Sequence, residues 1–127
     1  MARILVVDDE GTIRASLKRM LEMNGYEVVL AENGEEGDRL YRENPTDLVI
    51  TDLVMPEKEG LEFYNGLIDD YPDMKVILIS GGGRKIEGED LDFILDVAKG
   101  SGVVDTFRKP FDVDELLKSV EKHLAQA

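Results

Sequence analysis

Residues 48–56 read Leu-Val-Ile-Thr-Asp-Leu-Val-Met-Pro, and no other stretch constrains the fold as tightly. Three bulky apolar residues and Thr51 lead into Asp52, and Pro56 follows four positions later. A short apolar run that ends in turn chemistry fits a strand covered on both faces. Its last residue is then a carboxylate at the strand's carboxyl end, the edge where open α/β sheets bind their ligands. A carboxylate in that position needs water, a cation or a chemical task, because an unpaired buried charge is prohibitively costly.

The pattern repeats along the chain. Arg3 to Val7 is an apolar run that delivers Asp8, Asp9 and Glu10, and Ile13, Leu17, Met20 and Leu21 then recur at helical spacing until Asn24-Gly25 stops them. Tyr26 to Ala31 reads as a second strand, followed by a helix that Asn33 caps with Glu36 three residues on and Pro45 closes. Asp47 to Asp52 is the third strand, and Leu61, Tyr64, Leu67 and Ile68 mark a helix running to about Asp70. Lys75 to Ser80 is the fourth strand, ending in Gly81-Gly82-Gly83, and Leu91, Ile94, Leu95 and Ala98 mark a fourth helix. Val103 to Phe107 is a fifth strand, and Asp112 caps the last helix with Glu115 as its reciprocal partner.

Strands alternating with helices through short turns predict a parallel sheet covered on both faces. Right-handed crossovers place the carboxyl ends of all five strands on one edge. That edge gathers Asp8, Asp9, Asp52, Ser80 and Lys109 from remote positions. With no repeat, low-complexity tract or linker in 127 residues, one domain spanning 1–127 is expected.

The net charge of −13, from 28 acids against 15 bases, argues against this domain gripping a phosphate backbone, so no direct nucleic-acid partner is expected. The absence of cysteine excludes disulfides and thiolate metal sites. Ile4 to Val7 ends too soon for a signal peptide, and no apolar run exceeds four residues, so neither secretion nor a membrane span is expected. The expected location is the cytoplasm.

Singly, each edge residue has an ordinary explanation. Asp8-Asp9 resembles helix-capping chemistry, Asp52 and Lys109-Pro110 fit surface turns, and Ser80 precedes a loop. Together they form an all-oxygen donor set with no nearby His or Cys, which suits Mg²⁺ and not zinc. Asp52 beside such a cation is placed to accept a phosphoryl group as an acyl phosphate, with Lys109 as a second positive charge and Ser80 as a hydroxyl partner.

Val-Val-Asp-Asp-Glu at residues 6–10, Asp-Leu-Val-Met-Pro at 52–56 with Gly60 following, Ser80, and Lys109-Pro110-Phe111 closely resemble the receiver domain of two-component response regulators, over essentially the whole chain. The resemblance implies a flavodoxin-like, doubly wound, five-stranded parallel sheet of order 2-1-3-4-5 with five helices. It implies that Asp52 is the phosphoacceptor, that Asp9, Asp52 and the Val54 backbone carbonyl ligate Mg²⁺ directly, and that Asp8 holds the ion through water. Ser80 corresponds to the switch hydroxyl and Lys109 to the lysine that pairs with the phosphoryl group. The implied partners are a sensor histidine kinase or phosphotransfer protein upstream, and a downstream protein target or effector domain. A signalling phosphoacceptor of this kind is not an enzyme in the ordinary sense.

Two departures from that family stand out. Thr106 occupies the position of its usual aromatic switch residue, and Phe107 follows one residue later, which should turn the ring to the other face of the strand. Three glycines follow Ser80, where a small residue followed by a bulkier one is more usual, and Gly82 offers no side chain to block or guide water. His123, the sole histidine, is expected to be a solvated bystander. A phosphoaspartate-forming hydrolase is the competing class, but Val54 stands where such enzymes carry a second Asp. A nucleotide-binding module is disfavoured because Asp9-Glu10-Gly11 after the first strand would repel a pyrophosphate.

Overall fold

The computed structural model describes residues 2–52, 66–80, 103–109 and 111–125. Strands β1 (Arg3–Val7), β2 (Glu27–Ala31), β3 (Leu48–Asp52), β4 (Val76–Ser80) and β5 (Val103–Arg108) form one sheet of order β2-β1-β3-β4-β5. Every pairing is parallel, giving the flavodoxin-like α/β architecture. Strands β2, β3 and β4 start one residue later than the apolar runs suggest, and β5 extends one further, to Arg108. Helix α1 (Gly11–Met23), helix α2 (Gly34–Glu43) and the C-terminal helix (Val113–Ala125) cover the sheet. Residues 66–68 are helical, at the end of the expected third helix. Residues 61–65, the expected fourth helix, the three glycines and Val54 lie outside the described residues.

Period-two alternation explains how fully apolar strands divide their burial. Leu5, Val7, Val49, Val76 and Leu78 point to the face covered by Tyr41 of α2 together with Leu67 and Met74. Ile4, Val6, Leu48, Ile50, Ile77 and Ile79 point to the face covered by Leu17 and Leu21 of α1 and by Leu116 and Val120 of the C-terminal helix. Each fully buried Leu or Ile stabilises the fold by about 1.5–3 kcal/mol, so the two packed layers dominate its energetics. No helix among the described residues is long and apolar enough to cross a membrane.

Helix ends follow local chemistry. Gly25 adopts a φ of 89° and ends α1, its N–H donating to the Glu22 carbonyl. Asn33 Oδ1 accepts the Glu36 N–H at 2.8 Å, while Glu36 Oε1 reaches one residue beyond the expected partner, to the Glu32 N–H at 3.0 Å. Asp112 Oδ1 accepts the N–H groups of Asp114 and Glu115, anchoring the C-terminal helix.

The pairing of β4 with β5 slips by one between Val76 and Ile77, leaving Val104 as an extra residue. Such a bulge resets the alternation of side chains along its strand. Asp105 and Phe107 therefore share the face of their partners Ile77 and Ile79, while Thr106 shares that of Leu78. The Phe107 ring accordingly packs in the layer beneath α1 and the C-terminal helix.

Candidate functional site

The sheet register builds the site. Val6 pairs with Ile50 and Val7 with Thr51, so the next residues in step are Asp8 and Asp52, on the same face of the sheet. Both carboxylates are almost fully buried. On the far side of β4, Ser80 pairs with Arg108, which brings Lys109 over the same edge. Nothing is described of the Ser80 side chain; its backbone closes β4 at that edge.

Lys109 draws the edge together. Its Nζ lies 3.0 Å from Asp52 Oδ2, 2.8 Å from Glu10 Oε1 and 3.1 Å from Asp8 Oδ2. The contacts to Glu10 and Asp52 have hydrogen-bond geometry. The contact to Asp8 is an ion pair by distance only, and Asp8 Oδ2 is a buried oxygen with no hydrogen-bond donor aligned on it. Asp8 Oδ1 instead accepts the Glu10 N–H at 2.9 Å, and Arg14 donates to the Asp8 carbonyl at 2.7 Å. Asp8 is thereby fixed by backbone as well as charge.

Burial pushes the Asp8 carboxyl above its ordinary value, outweighing the Glu10 N–H and the Lys109 charge that favour ionisation. Burial acts on Lys109 in the opposite sense from its partners. The hydrogen bonds Lys109 donates to Glu10 and Asp52 and the charges of Asp52 and Asp8 together prevail, and hold the ammonium above its usual range. Lys109 thus stands as a cation among carboxylates at neutral pH.

Carboxylate oxygens of Asp8, Asp9, Glu10 and Asp52 all lie within 4.8 Å of one another. Four hard oxygen donors this close together, with Asp8 Oδ2 buried and accepting no hydrogen bond, fit a hard divalent cation. Of the residues expected at the site, Asp8, Asp9, Asp52 and Lys109 are brought together. Glu10 has no expected role in the sequence beyond its place in an acidic run, yet its carboxylate makes the shortest contact to Lys109. The available signal was its position as a third consecutive acid at a strand end.

The response regulator receiver domain family matches residues 4–121. The chain belongs to that family. Receiver protein CpdR of Brucella abortus is 32% identical over all of both chains, and chemotaxis protein CheY of Listeria monocytogenes is 35% identical over 96% of this chain and 98% of that one. Among solved structures, a receiver domain protein from Clostridium thermocellum superposes with a TM-score of 0.84 at 35% identity, covering 98% of this chain and 94% of that one. TrrA of Thermotoga maritima, solved in complex with Mg²⁺ and BeF, gives 0.81 at 36% identity, covering 97% and 99%. This receiver domain is thus a part of two-component signalling, in a family of phosphoacceptors that work with kinases and effectors.

His123 corrects the sequence reading. It is buried, at 7% exposure, and not a solvated side chain. Helical spacing of four places it over Ser119, with Nδ1 2.8 Å from the Ser119 carbonyl and 3.3 Å from its hydroxyl. Ser119 Oγ in turn donates to Asp105 Oδ2 at 2.6 Å, and Lys75 donates to the His123 carbonyl at 2.8 Å. The bulge at Val104 makes this network possible, by turning Asp105 toward the C-terminal helix.

Proposed function

We propose that Asp52 accepts a phosphoryl group from the phosphohistidine of a sensor histidine kinase or phosphotransfer protein. One domain, residues 1–127, then acts as a signalling phosphoacceptor in the cytoplasm and not as a turnover enzyme. The observation that carries this reading is Asp52 itself: a buried carboxylate at the end of a central strand, 3.0 Å from the Lys109 ammonium and beside three further carboxylates.

Asp52 supplies the attacking oxygen, and a bond to phosphorus forms as the bond to the donor's leaving group breaks. Asp8, Asp9 and Asp52, with the Val54 carbonyl, would hold Mg²⁺, which when bound offsets the charge of carboxylate and phosphoryl oxygens. Lys109 then pairs with the transferred group, and the Ser80 hydroxyl donates to it. These contacts shift an existing equilibrium at the sheet edge and alter affinity for a downstream protein.

Incubation with acetyl phosphate and Mg²⁺, followed by intact mass, tests the assignment. The native chain gains one phosphoryl group and Asp52→Asn does not. A stable phosphoryl group on the Asn variant overturns it.

A further inference from the structure

The Lys109 ammonium has three carboxylates within 3.1 Å, two of them hydrogen-bonded, so an arriving phosphoryl oxygen competes with partners already there. The three partners are not equivalent. The side chains of Asp8 and Asp52 are 2% and 1% exposed, whereas that of Glu10 is 39% exposed. Releasing Asp8 strands a buried charge, and Asp52 carries its own charge onto the group it bonds, which stays beside Lys109; Glu10 alone can exchange the lysine for water at small cost. The Asp8 and Glu10 chains also differ in restraint: Asp8 Oδ1 is tied to a backbone N–H, and Glu10 sits at the start of α1 without capping that helix through its side chain.

We infer that Glu10 is a positioning residue for the phosphoryl reaction: a placeholder anion that occupies Lys109 until the phosphoryl group replaces it. Its carboxylate holds the ammonium at the sheet edge, fills the place of an anion, and swings into solvent when phosphorus reaches Asp52. Placeholding opposes the reaction, because Glu10 competes for the cation and repels an anionic donor. The inference rests on the phosphoacceptor reading of Asp52 and adds to it a residue that tunes entry of the phosphoryl group.

Beryllofluoride with saturating Mg²⁺, titrated by NMR into the native chain and into Glu10→Gln, tests the inference, with Mg²⁺ alone as a second titration. Neutralising an exposed partner should lower the half-saturating beryllofluoride concentration about two- to fivefold. Mg²⁺ alone should bind the variant with a change well under tenfold. Beryllofluoride binding that is unchanged or weaker in Glu10→Gln overturns the placeholder role while leaving Asp52 as acceptor. Loss of Mg²⁺ affinity by about tenfold or more also overturns it, since Glu10 is then a cation ligand. A native chain that takes neither beryllofluoride nor a phosphoryl group from acetyl phosphate removes the phosphoacceptor reading, and the placeholder falls with it.

Discussion

Lys109 Nζ stands 3.0 Å from Asp52 Oδ2 across 57 positions of sequence, and both side chains are almost entirely withdrawn from water. Their pairing offsets part of the negative charge that Asp8, Asp9, Glu10 and Asp52 bring to the sheet edge. Remove the lysine and the buried carboxylates lose their cation.

Lys109→Met should therefore destabilise the protein by about 3 kcal/mol in the absence of divalent cations, the scale for breaking a buried charge pair. The same change removes a competitor for the carboxylate oxygens, so Mg²⁺ should bind more tightly and recover part of the loss. Urea unfolding with and without Mg²⁺ measures both effects. Weaker Mg²⁺ binding in the variant would contradict the competition.

Ser119→Ala should cost about 1–2 kcal/mol, because it leaves Asp105 Oδ2 without its 2.6 Å donor in a part-buried setting. A double-mutant cycle with His123→Ala should show coupling, since the two residues share the network. Strict additivity of the two losses in urea midpoints would show that the contacts are incidental.

Gly25→Ala isolates backbone conformation from packing. An added Cβ meets nothing within 4 Å, but the φ of 89° remains unfavourable for an L-residue. The expected loss is about 1–2 kcal/mol, read from thermal or urea unfolding, with the α1 helix content unchanged in the folded state. A neutral substitution would mean that the turn relaxes to negative φ.

Tyr41 gives a pH-dependent test at the alkaline end. Burial, then the neighbouring Tyr71 and Asp47, raises its phenol above the ordinary 10.0. The folded state thus keeps a proton that the unfolded chain gives up near pH 10. Stability from this group is fully present below pH 10 and declines as pH rises from there through the folded pKa. Tyr41→Phe should flatten that decline, measured as urea midpoint against pH, and ultraviolet absorbance should show one late-titrating phenol fewer.

Much of the site was legible in sequence because carboxyl ends of parallel strands share an edge by topology alone. Runs ending at Asp8, Asp52 and Ser80 needed only a parallel sheet to meet, and the registers Val7 with Thr51 and Ser80 with Arg108 are that sheet. Glu10 was less legible. It lies beyond β1 at the mouth of α1, where the direction of a flexible side chain depends on what charge is within reach. His123 was misread for a related reason: in an amphipathic helix a lone polar residue looks solvent-facing, unless a buried partner awaits it.

The sequence by itself determined the alternation of elements, the parallel sheet and the identity of the acidic edge, because apolar periodicity and turn chemistry act over a few residues. Only the tertiary structure decided which carboxylates share Lys109, and that the bulge at Val104 turns Asp105 and Phe107 beneath the C-terminal helix. Those outcomes depend on distances of a few ångströms between residues remote in the chain, and on a single-residue slip in register. Neither leaves a local mark in the order of amino acids.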